Sequence, residues 1–203
     1  MPVAYFLLFY IGSYAGYRYN ARMNQNTVKP CQIVPATLQD IGAIAELARL
    51  IWLRHYPGII TLAQISYMLD QRYSEAVLHD QICGEGRWLD KLVCDGQILG
   101  FSNYYREAEA GVMKLDRLYL HPDHHGQGWG AALIRHCEDM SRREGCQRLI
   151  LAVNKQNKGS IGFYQRQGFA VEDAITVDIG SGFVMDDYIM AKSLISCPSS
   201  VPA

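Results

Sequence analysis

The chain has no excess of charge of either sign. Its 203 residues include 19 Lys and Arg against 20 Asp and Glu, which gives a formal net charge of −1. Because nucleic-acid-binding surfaces carry a surplus of basic residues, we expect no nucleic-acid partner. Apolar residues make up 49% of the chain and charged residues 19%. This composition excludes a disordered polar protein and, at this length, favours one globular domain.

The chain also lacks paired cysteine motifs and the common nucleophile patterns. Its six cysteines contain no C-x-x-C pair, and no Cys/His spacing is typical of a zinc site. We therefore expect reduced, mostly buried thiols in a cytoplasmic protein. No Ser/His/Asp or Cys/His arrangement stands out that would form a covalent intermediate.

The apolar segment at the N-terminus, PVAYFLLFYIGSYAGY over residues 2–17, lacks the features of a targeting signal. No positive charge precedes it, as a secretory signal requires, and it is shorter than the roughly 20 residues of a membrane span. A weak membrane anchor is one interpretation. We favour an extension outside the fold, with Met23 as the working start, and expect no membrane partner. The predicted organisation is an extension over residues 1–30, a domain over 31–195 and a disordered tail over 196–203.

Strand and helix signals alternate between residues 31 and 195. Thr37 with Asp40 resembles a capping box, Thr61 and Ser74 are typical helix starts, and Asp95-Gly96 predicts a tight hairpin. The apolar run QRLILAVN predicts a strand that is buried on both faces. The order β, helices, β, β, β, α, β, α, β, β predicts a single mixed α/β sheet.

The stretch HPDHHGQGWGAAL, residues 121–133, places three glycines at alternate positions between a predicted strand and a predicted helix. Glycine destabilises a helix by about 1 kcal/mol relative to alanine, so the pattern needs a reason. A helix N-terminus presents unpaired N–H groups, and glycines let a bulky anion approach them. The pattern predicts a phosphate or pyrophosphate ligand. The alternative is a glycine-rich turn that only makes a tight corner.

Two common phosphate-binding loops do not match this stretch. A P-loop needs a Lys after its last glycine, and none follows here. A dinucleotide-binding loop needs G-x-G-x-x-G and an acidic residue at the end of the next strand. Here the spacing is G-x-G-x-G and the next strand ends in Val153-Asn154.

Two blocks of the sequence resemble those of the GNAT N-acetyltransferases. HHGQGWGAAL is similar to the family's acyl-CoA pyrophosphate loop, (R/Q)-x-x-G-x-(G/A), with Gly128 and Gly130 on the small positions and His125 in place of Arg or Gln. NKGSIGFYQRQGF, residues 157–169, resembles the family's N-x-x-(A/S)-x-x-(F/L)-Y-x-x-x-G-F helix. The resemblance covers about residues 31–194.

This resemblance implies a fold and an activity. The fold is a mixed, mostly antiparallel central sheet with a splayed parallel pair, flanked by helices. The activity is that of an acyltransferase that moves an acetyl group from acetyl-CoA to a primary amine, directly and in a ternary complex.

The resemblance also implies how acetyl-CoA is bound. The splayed strand end would pair with the pantetheine arm as an added strand does, the glycine loop would hold the pyrophosphate, Asn157 would bond near the thiol and Ser160 would lie beside the phosphates. From the residues alone, Asn157 is an ordinary helix N-cap, and it can serve as both. The implied cofactor-binding residues are Leu118, Tyr119, Leu120, His125, Gly126, Gln127, Gly128, Trp129, Gly130, Ala131, Asn157, Ser160 and Tyr164.

Tyr164 is the candidate general acid, because a phenol with a pKa near 10 is neutral at pH 7 and can donate a proton to a departing thiolate. The alternative is that Phe163 and Tyr164 form a packing face. Asp116 is the candidate base, acting through water. It is equally consistent with a surface carboxylate paired with Lys114 or Arg117.

The loop HPDHH over residues 121–125 invites a metal-binding interpretation. So short a loop rarely supplies three ligands with good geometry, so we expect solvated histidines near a phosphate and no metal.

The acceptor is least specified. Asp186 and Asp187 can attract a cationic amine, although such a pair in a hairpin is usually solvated surface. Residues 56–69 are expected to form a lid over the acceptor, with Tyr67, Tyr73, Tyr104 and Tyr105 lining an apolar pocket. We expect a small amine or polyamine. The alternatives are a protein N-terminus or lysine, an aminoglycoside, an amino acid, or a module that binds acyl-CoA without turnover. A homodimer stays open.

Overall fold

The computed structural model describes residues 31–195 and arranges them around one seven-stranded sheet. The predicted extension over residues 1–30 and tail over 196–203 lie outside the described residues. The strand order is β1-β2-β3-β4-β5-β7-β6. The elements are β1 (Gln32–Pro35), α1 (Ile41–His55), α2 (Leu62–Arg72), α3 (Glu75–Cys83), β2 (Arg87–Cys94), β3 (Gln97–Arg106), β4 (Val112–Leu120), α4 (Trp129–Arg143), β5 (Arg148–Asn154), α5 (Lys158–Arg166), β6 (Ala170–Gly180) and β7 (Phe183–Ser193).

The first three helices begin where the sequence predicts them. The Thr37 backbone N–H donates to the Asp40 carboxylate over 2.7 Å, at the short 3-10 turn that leads into α1. The Thr61 hydroxyl accepts from the N–H of Gln64 at the start of α2, and Ser74 accepts from Val77 at the start of α3. These side chains satisfy N–H groups that have no partner inside the helix, which explains where the helices start.

The Asp95-Gly96 pair makes the predicted tight turn between β2 and β3. Both residues have positive φ, 50° at Asp95 and 80° at Gly96. Two such residues in succession match the right-handed twist of the strands they join. Cys94 is therefore opposite Gln97, and the hairpin prediction is confirmed.

The parallel pair β4–β5 separates partway along its length. Pairing runs only from Val112 opposite Arg148 to Leu115 opposite Leu151. At the next residue, Asp116, the register with β3 shifts. One extra residue bends a strand at such a bulge. Residues 117–120 thus keep their antiparallel partner β3, residues 116–120 are not paired with β5, and the predicted sheet with a splayed parallel pair is confirmed.

Helices cover both faces of the sheet, but β5 is not buried on both faces as predicted. Leu149, Leu151 and Val153 pack in the core beneath α4 and α5, whereas Ala152, on the other face, is exposed. The reason is that the splay opens a groove on that face. An apolar run does not distinguish a face that is covered by protein from one that faces such an opening.

Two cysteines are joined, contrary to the expectation of reduced thiols. Cys31 and Cys94 form a disulfide, while Cys137 and Cys146 are buried free thiols and Cys83 is an exposed one. The bridge follows from strand register, because Gln32 is opposite Val93 in the antiparallel β1–β2 pair and the adjoining residues 31 and 94 come together. A separation of 63 residues carries no sequence signal for that pairing.

None of the helices within residues 31–195 combines the length and the apolar character that crossing a membrane requires.

Candidate active site

A groove of about 620 Å³ opens where β4 and β5 separate. One side is formed by the ends of the two strands, the glycine loop and α5. The other is formed by α1, α2 and β7. Of the residues predicted to act, those that line it are Asp116, Leu118, Tyr119, Leu120, His125, Gly126, Gly128, Gly130, Ala131, Asn157, Ser160 and Tyr164.

The glycine loop presents bare backbone to this groove. Gly126 and Gly128 have φ values of 74° and 85°, a left-handed conformation that side chains rarely adopt. A Cβ atom on either would meet no other atom within 4 Å. Among the described residues, no backbone or side-chain acceptor is hydrogen-bonded to the N–H groups of residues 126–131. These N–H groups precede and open α4, so their direction and the helix dipole favour a bulky anion.

Three other loop positions have different surroundings. A Cβ on Gly130 would approach the Phe163 ring to 3.2 Å, so this glycine lets α4 pack closely against α5. Gln127 is exposed and does not line the groove, and Trp129 packs against the cluster around Leu92 and Leu133. The close contact of Gly130 with Phe163 is a packing requirement, whereas the positive φ and open surroundings of Gly126 and Gly128 are consistent with both a tight corner and an anion site.

The end of β4 offers the groove its backbone and one side chain. Leu118 and Leu120 pack into the core beneath α4. Tyr119 points to the other face, with its ring 5.4 Å from that of Phe101 and its hydroxyl 3.5 Å from that of Tyr56. Residues 116–120 have no strand partner on the β5 side, so this edge can pair with an extended ligand that contains amides.

His125 occupies part of this strand end. Its Nε2 lies 3.0 Å from the carbonyl oxygen of Leu120, so the ring donates to that carbonyl. His125, which stands where the family usually has Arg or Gln, therefore connects the glycine loop to the end of β4 through this hydrogen bond.

Asn157 caps α5 beside the groove. Its side-chain oxygen accepts from the N–H of Ser160 over 3.2 Å, which confirms the predicted N-cap. Both residues line the groove.

Tyr164 lies in the last turn of α5 and lines the groove. The ring is 5.3 Å from that of Phe163 and 5.8 Å from that of Phe169. Burial raises its pKa, and Tyr119 and Cys137 add to the effect. The phenol is therefore protonated at neutral pH, so the packed ring is compatible with a hydroxyl that donates a proton.

Asp116, the bulged residue, is held by two guanidinium groups. Arg72 of α2 donates to its carboxylate over 2.7 Å, and Arg117 forms an ion pair with it at 3.2 Å. Arg117 is itself buried and donates to Gln81. The predicted partner Arg117 is therefore present, whereas Lys114 pairs with Glu107. Two cations neutralise this carboxylate where it lines the groove.

The four tyrosines predicted to line an acceptor pocket do not line this groove. Tyr104 is fully buried and donates to Asp90, Tyr73 is buried, and Tyr67 donates to the carbonyl of Ile179 over 2.6 Å. Tyr105 pairs with Lys114 and Arg87 through its ring. The prediction was wrong because aromatic content does not show which strand face or helix face a residue occupies.

The acidic pair on β7 is divided between the two faces of the strand. Asp186 is exposed and bonds to Lys155 and Thr176. Asp187 is 5% exposed, lines the groove and has a carboxylate oxygen without a hydrogen-bond partner among the described residues. Burial, and secondarily Asp186, raises the pKa of Asp187 to about 6. The surface interpretation therefore holds for Asp186 and fails for Asp187.

Two histidines of the loop over residues 121–125 make hydrogen bonds to nearby backbone. His121 accepts from the N–H of Asp123, and His125 bonds to Leu120 as described. Within residues 31–195, no three His, Cys, Asp or Glu side chains are grouped so as to hold a metal ion.

Several groove residues escaped sequence reasoning. Trp52 and His55 come from α1 and Arg72 comes from α2, whereas Tyr56 and Met68 belong to residues 56–69, which were expected to cover the acceptor. Their helical spacing shows only that they share faces with core residues. The sequence feature that could have identified them is the cluster of aromatic and basic residues just before Pro57-Gly58, where α1 ends beside the groove.

Comparisons with known proteins agree with this geometry. Residues 47–169 match the acetyltransferase (GNAT) family. A spermidine N(1)-acetyltransferase of Thermoplasma acidophilum is 29% identical over 159 residues, covering 76% of this chain and 95% of that protein. An uncharacterised N-acetyltransferase of Mycobacterium bovis is 27% identical over 158 residues, covering 78% and 100%.

A solved structure is similar along nearly its whole length. The PaiA N-acetyltransferase of Thermoplasma acidophilum, in complex with coenzyme A, superposes with a TM-score of 0.72 at 26% identity. The match covers 81% of this chain and 99% of that one.

Proposed function

The chain belongs to the acetyltransferase (GNAT) family, and we propose that it transfers an acetyl group from acetyl-CoA to the primary amine of a small amine or polyamine. The observation that carries this proposal is the groove itself. It brings together a run of free backbone N–H groups, an unpaired strand edge, a protonated tyrosine and two carboxylates.

The anion-binding half of the groove fits acetyl-CoA. The N–H groups of residues 126–131 would hold the pyrophosphate, and the space beside Gly126 and Gly128 is open to it. The edge of β4 from residue 116 to 120 would bond the pantetheine amides. Asn157 and Ser160 lie beside it on α5. When bound, acetyl-CoA supplies an acetyl thioester whose carbonyl carbon is open to attack by an amine.

The transfer breaks the acetyl carbon–sulfur bond and forms a carbon–nitrogen bond. The acceptor must lose protons to become a neutral nucleophile and then a neutral amide, and the sulfur must gain one to leave as a thiol. Tyr164 is protonated and on the groove, so it can donate that proton. Asp116 remains the proposed base and would act through a water molecule. The positive charges of Arg72 and Arg117 weaken its electrostatic attraction for a cationic amine.

A covalent enzyme intermediate is not part of this proposal. The buried thiol of Cys137 belongs to the core cluster against which Phe163 and Tyr164 pack, and burial raises its pKa to about 12. At neutral pH it is a protonated core side chain and a poor nucleophile. Direct transfer between two bound substrates agrees better with this arrangement.

The acceptor side favours a flexible cation. Met68, Trp52 and Tyr56 supply apolar surface for methylene groups, and the carboxylates of Asp116 and Asp187 line the same groove. The relative named for spermidine acetylation supports the same class.

The test is amine-dependent release of coenzyme A thiol from acetyl-CoA by the full chain. The panel holds spermidine, a simple monoamine, a peptide with a free N-terminus, a lysine peptide with a blocked N-terminus and an aminoglycoside. We expect spermidine or the monoamine to give the highest kcat/KM. Acetyl-CoA binding without amine-dependent release would contradict catalysis and favour a regulatory acyl-CoA-binding module. A peptide as the best acceptor would contradict the small-amine assignment.

A further inference from the structure

Asp187 is a buried carboxylate that nothing in the described protein satisfies. It is 5% exposed, and its Oδ1 atom has no hydrogen-bond partner among residues 31–195. Leaving a buried charge without a partner is costly, so such a group in a native fold needs a reason. Because Asp187 lines the groove, a ligand can supply the missing partner.

The strand places this side chain on the acceptor side. Asp187 is opposite Asn154 in the β5–β7 pair, and both line the groove. Met185, two residues away on the same face, packs with the cluster under α1 and α2. Tyr188, on the other face, packs with the core beneath α4 and α5. Pairing with β5 and β6 on both sides fixes the backbone from which the carboxylate projects.

Of the three aspartates Asp116, Asp186 and Asp187, only Asp187 is not paired with a cation among the described residues. Asp116 is neutralised by Arg72 and Arg117. Asp186 faces away and is bonded to Lys155. Arg72 and Lys155 also attract the Asp187 charge, but neither is within ion-pair distance of it.

We infer that the Asp187 carboxylate binds the ammonium group of the acceptor and thereby selects cationic amines. This inference rests on the proposed function and deepens it. Burial of the ammonium against the carboxylate supplies the hydrogen-bond donors that Asp187 lacks, and the apolar walls from α1 and α2 accommodate the carbon chain. Asp187 is on this account a specificity-determining residue, separate from the proton donor Tyr164.

The binding should depend on pH in a defined direction. The pKa of Asp187 is raised to about 6, so the carboxyl is protonated below that pH and an ammonium ligand must displace the proton. Affinity should therefore weaken as the pH falls through about 6. The other groups around the groove that respond to pH or carry charge are His55, His125, Arg72, Lys155, Arg166, Asp116, Arg117 and Asp186.

The test is calorimetric titration of spermidine into the full chain saturated with coenzyme A, where no turnover occurs. Asp187→Asn keeps the shape of the side chain and removes the charge. We expect its Kd for spermidine at pH 7.5 to rise about tenfold or more, the scale of a lost charge-assisted hydrogen bond. Asp186→Asn is the matched control on the same strand, and its Kd should change less than about threefold. Between pH 7.5 and 5.5 the affinity of the wild type should fall more steeply than that of Asp187→Asn, because only the wild type has the carboxyl that gains a proton over this range.

Two further measurements separate the outcomes. A thermal melt at pH 7.5 should show Asp187→Asn at least as stable as the wild type, since the variant no longer buries an unpaired charge. In steady-state assays its KM for spermidine should rise while kcat stays within a few-fold. Equal spermidine affinity in the wild type and a folded Asp187→Asn would overturn the inference. So would a fall in kcat at unchanged KM, which would make Asp187 a proton acceptor instead.

Failure of the proposed function is distinguishable from failure of this inference. If the wild type releases no thiol with any amine but binds spermidine through Asp187, the transfer is wrong and the ammonium site stands. If thiol release proceeds and Asp187→Asn matches the wild type in both binding and KM, only the ammonium site is wrong.

Discussion

The side chain of Tyr164 has both a packed ring and a hydroxyl that is open to a ligand. Its ring packs between Phe163 and Phe169, and its pKa is raised by burial so that the phenol keeps its proton at neutral pH. The hydroxyl has no hydrogen-bond partner among the described residues, which leaves it free for a ligand. A proton donor for a thiolate needs this combination of a fixed ring and an available hydroxyl.

The substitution Tyr164→Phe separates these two features. It removes the hydroxyl and keeps the ring, so the melting temperature should stay close to that of the wild type. If the hydroxyl protonates the leaving thiolate, kcat should fall by about 10²-fold or more, while KM for acetyl-CoA changes little. Steady-state kinetics and a thermal melt on the same preparation measure both. Near-normal kcat with a lower melting temperature would show that Tyr164 only packs, and water would then be the proton source.

The adjacent acids Asp186 and Asp187 show where residue-level prediction stops. The sequence shows that both side chains are acidic, but it does not show that one is exposed and the other buried. Successive side chains in a strand point to opposite faces, and which face borders the groove depends on the splay of β4 from β5. The same limit explains why Tyr67, Tyr73, Tyr104 and Tyr105 were placed wrongly.

At the scale of elements, the local signals were sufficient for most boundaries. Thr61, Ser74 and Asn157 start helices at the predicted places, because the side chain of each accepts from an N–H three residues ahead. At Thr37 the backbone N–H instead donates to the Asp40 carboxylate. The disulfide between β1 and β2 was missed because it depends on register between strands that are separated by three helices.

The disulfide leads to a prediction about stability. It closes a long loop and joins the edge strand β1 to the sheet, so reduction should lower the melting temperature of the full chain. The entropy of the unfolded chain that the closed loop restricts sets the expected loss in the free energy of unfolding at about 2–4 kcal/mol. A melt with and without dithiothreitol measures the shift, and the double variant Cys31→Ser/Cys94→Ser should be insensitive to the reductant.

The exposed free thiol Cys83 provides the control for that measurement. Cys83→Ser should keep the reductant-dependent shift of the wild type. A wild-type melting temperature that does not respond to dithiothreitol, in protein whose cysteines all react with a thiol reagent when unfolded, would show that Cys31 and Cys94 are not joined.

At the scale of the whole molecule, the sheet and the glycine-loop half of the groove could be located from the sequence, and the half that we propose binds the acceptor could not. The glycine loop and the α5 helix are contiguous in sequence, so their chemistry is visible in short motifs. The acceptor half is assembled from α1, α2, β4 and β7, which meet only in the folded chain. Arg72 and Asp116, for example, lie 44 residues apart and pair across the groove.

The central claim is that the backbone of residues 126–131 binds acetyl-CoA, and its direct test is calorimetry of acetyl-CoA with Gly128→Val. The added side chain would occupy the open space beside the free N–H groups, so binding should weaken severely. Because φ at Gly128 is 85°, the variant is also strained, and Gly145→Val is the matched control. Gly145 has a φ of 76° and equally open surroundings at the opposite end of α4. We predict that Gly145→Val keeps the wild-type Kd for acetyl-CoA while Gly128→Val loses measurable binding in folded protein. Wild-type affinity in a folded Gly128→Val would contradict the account.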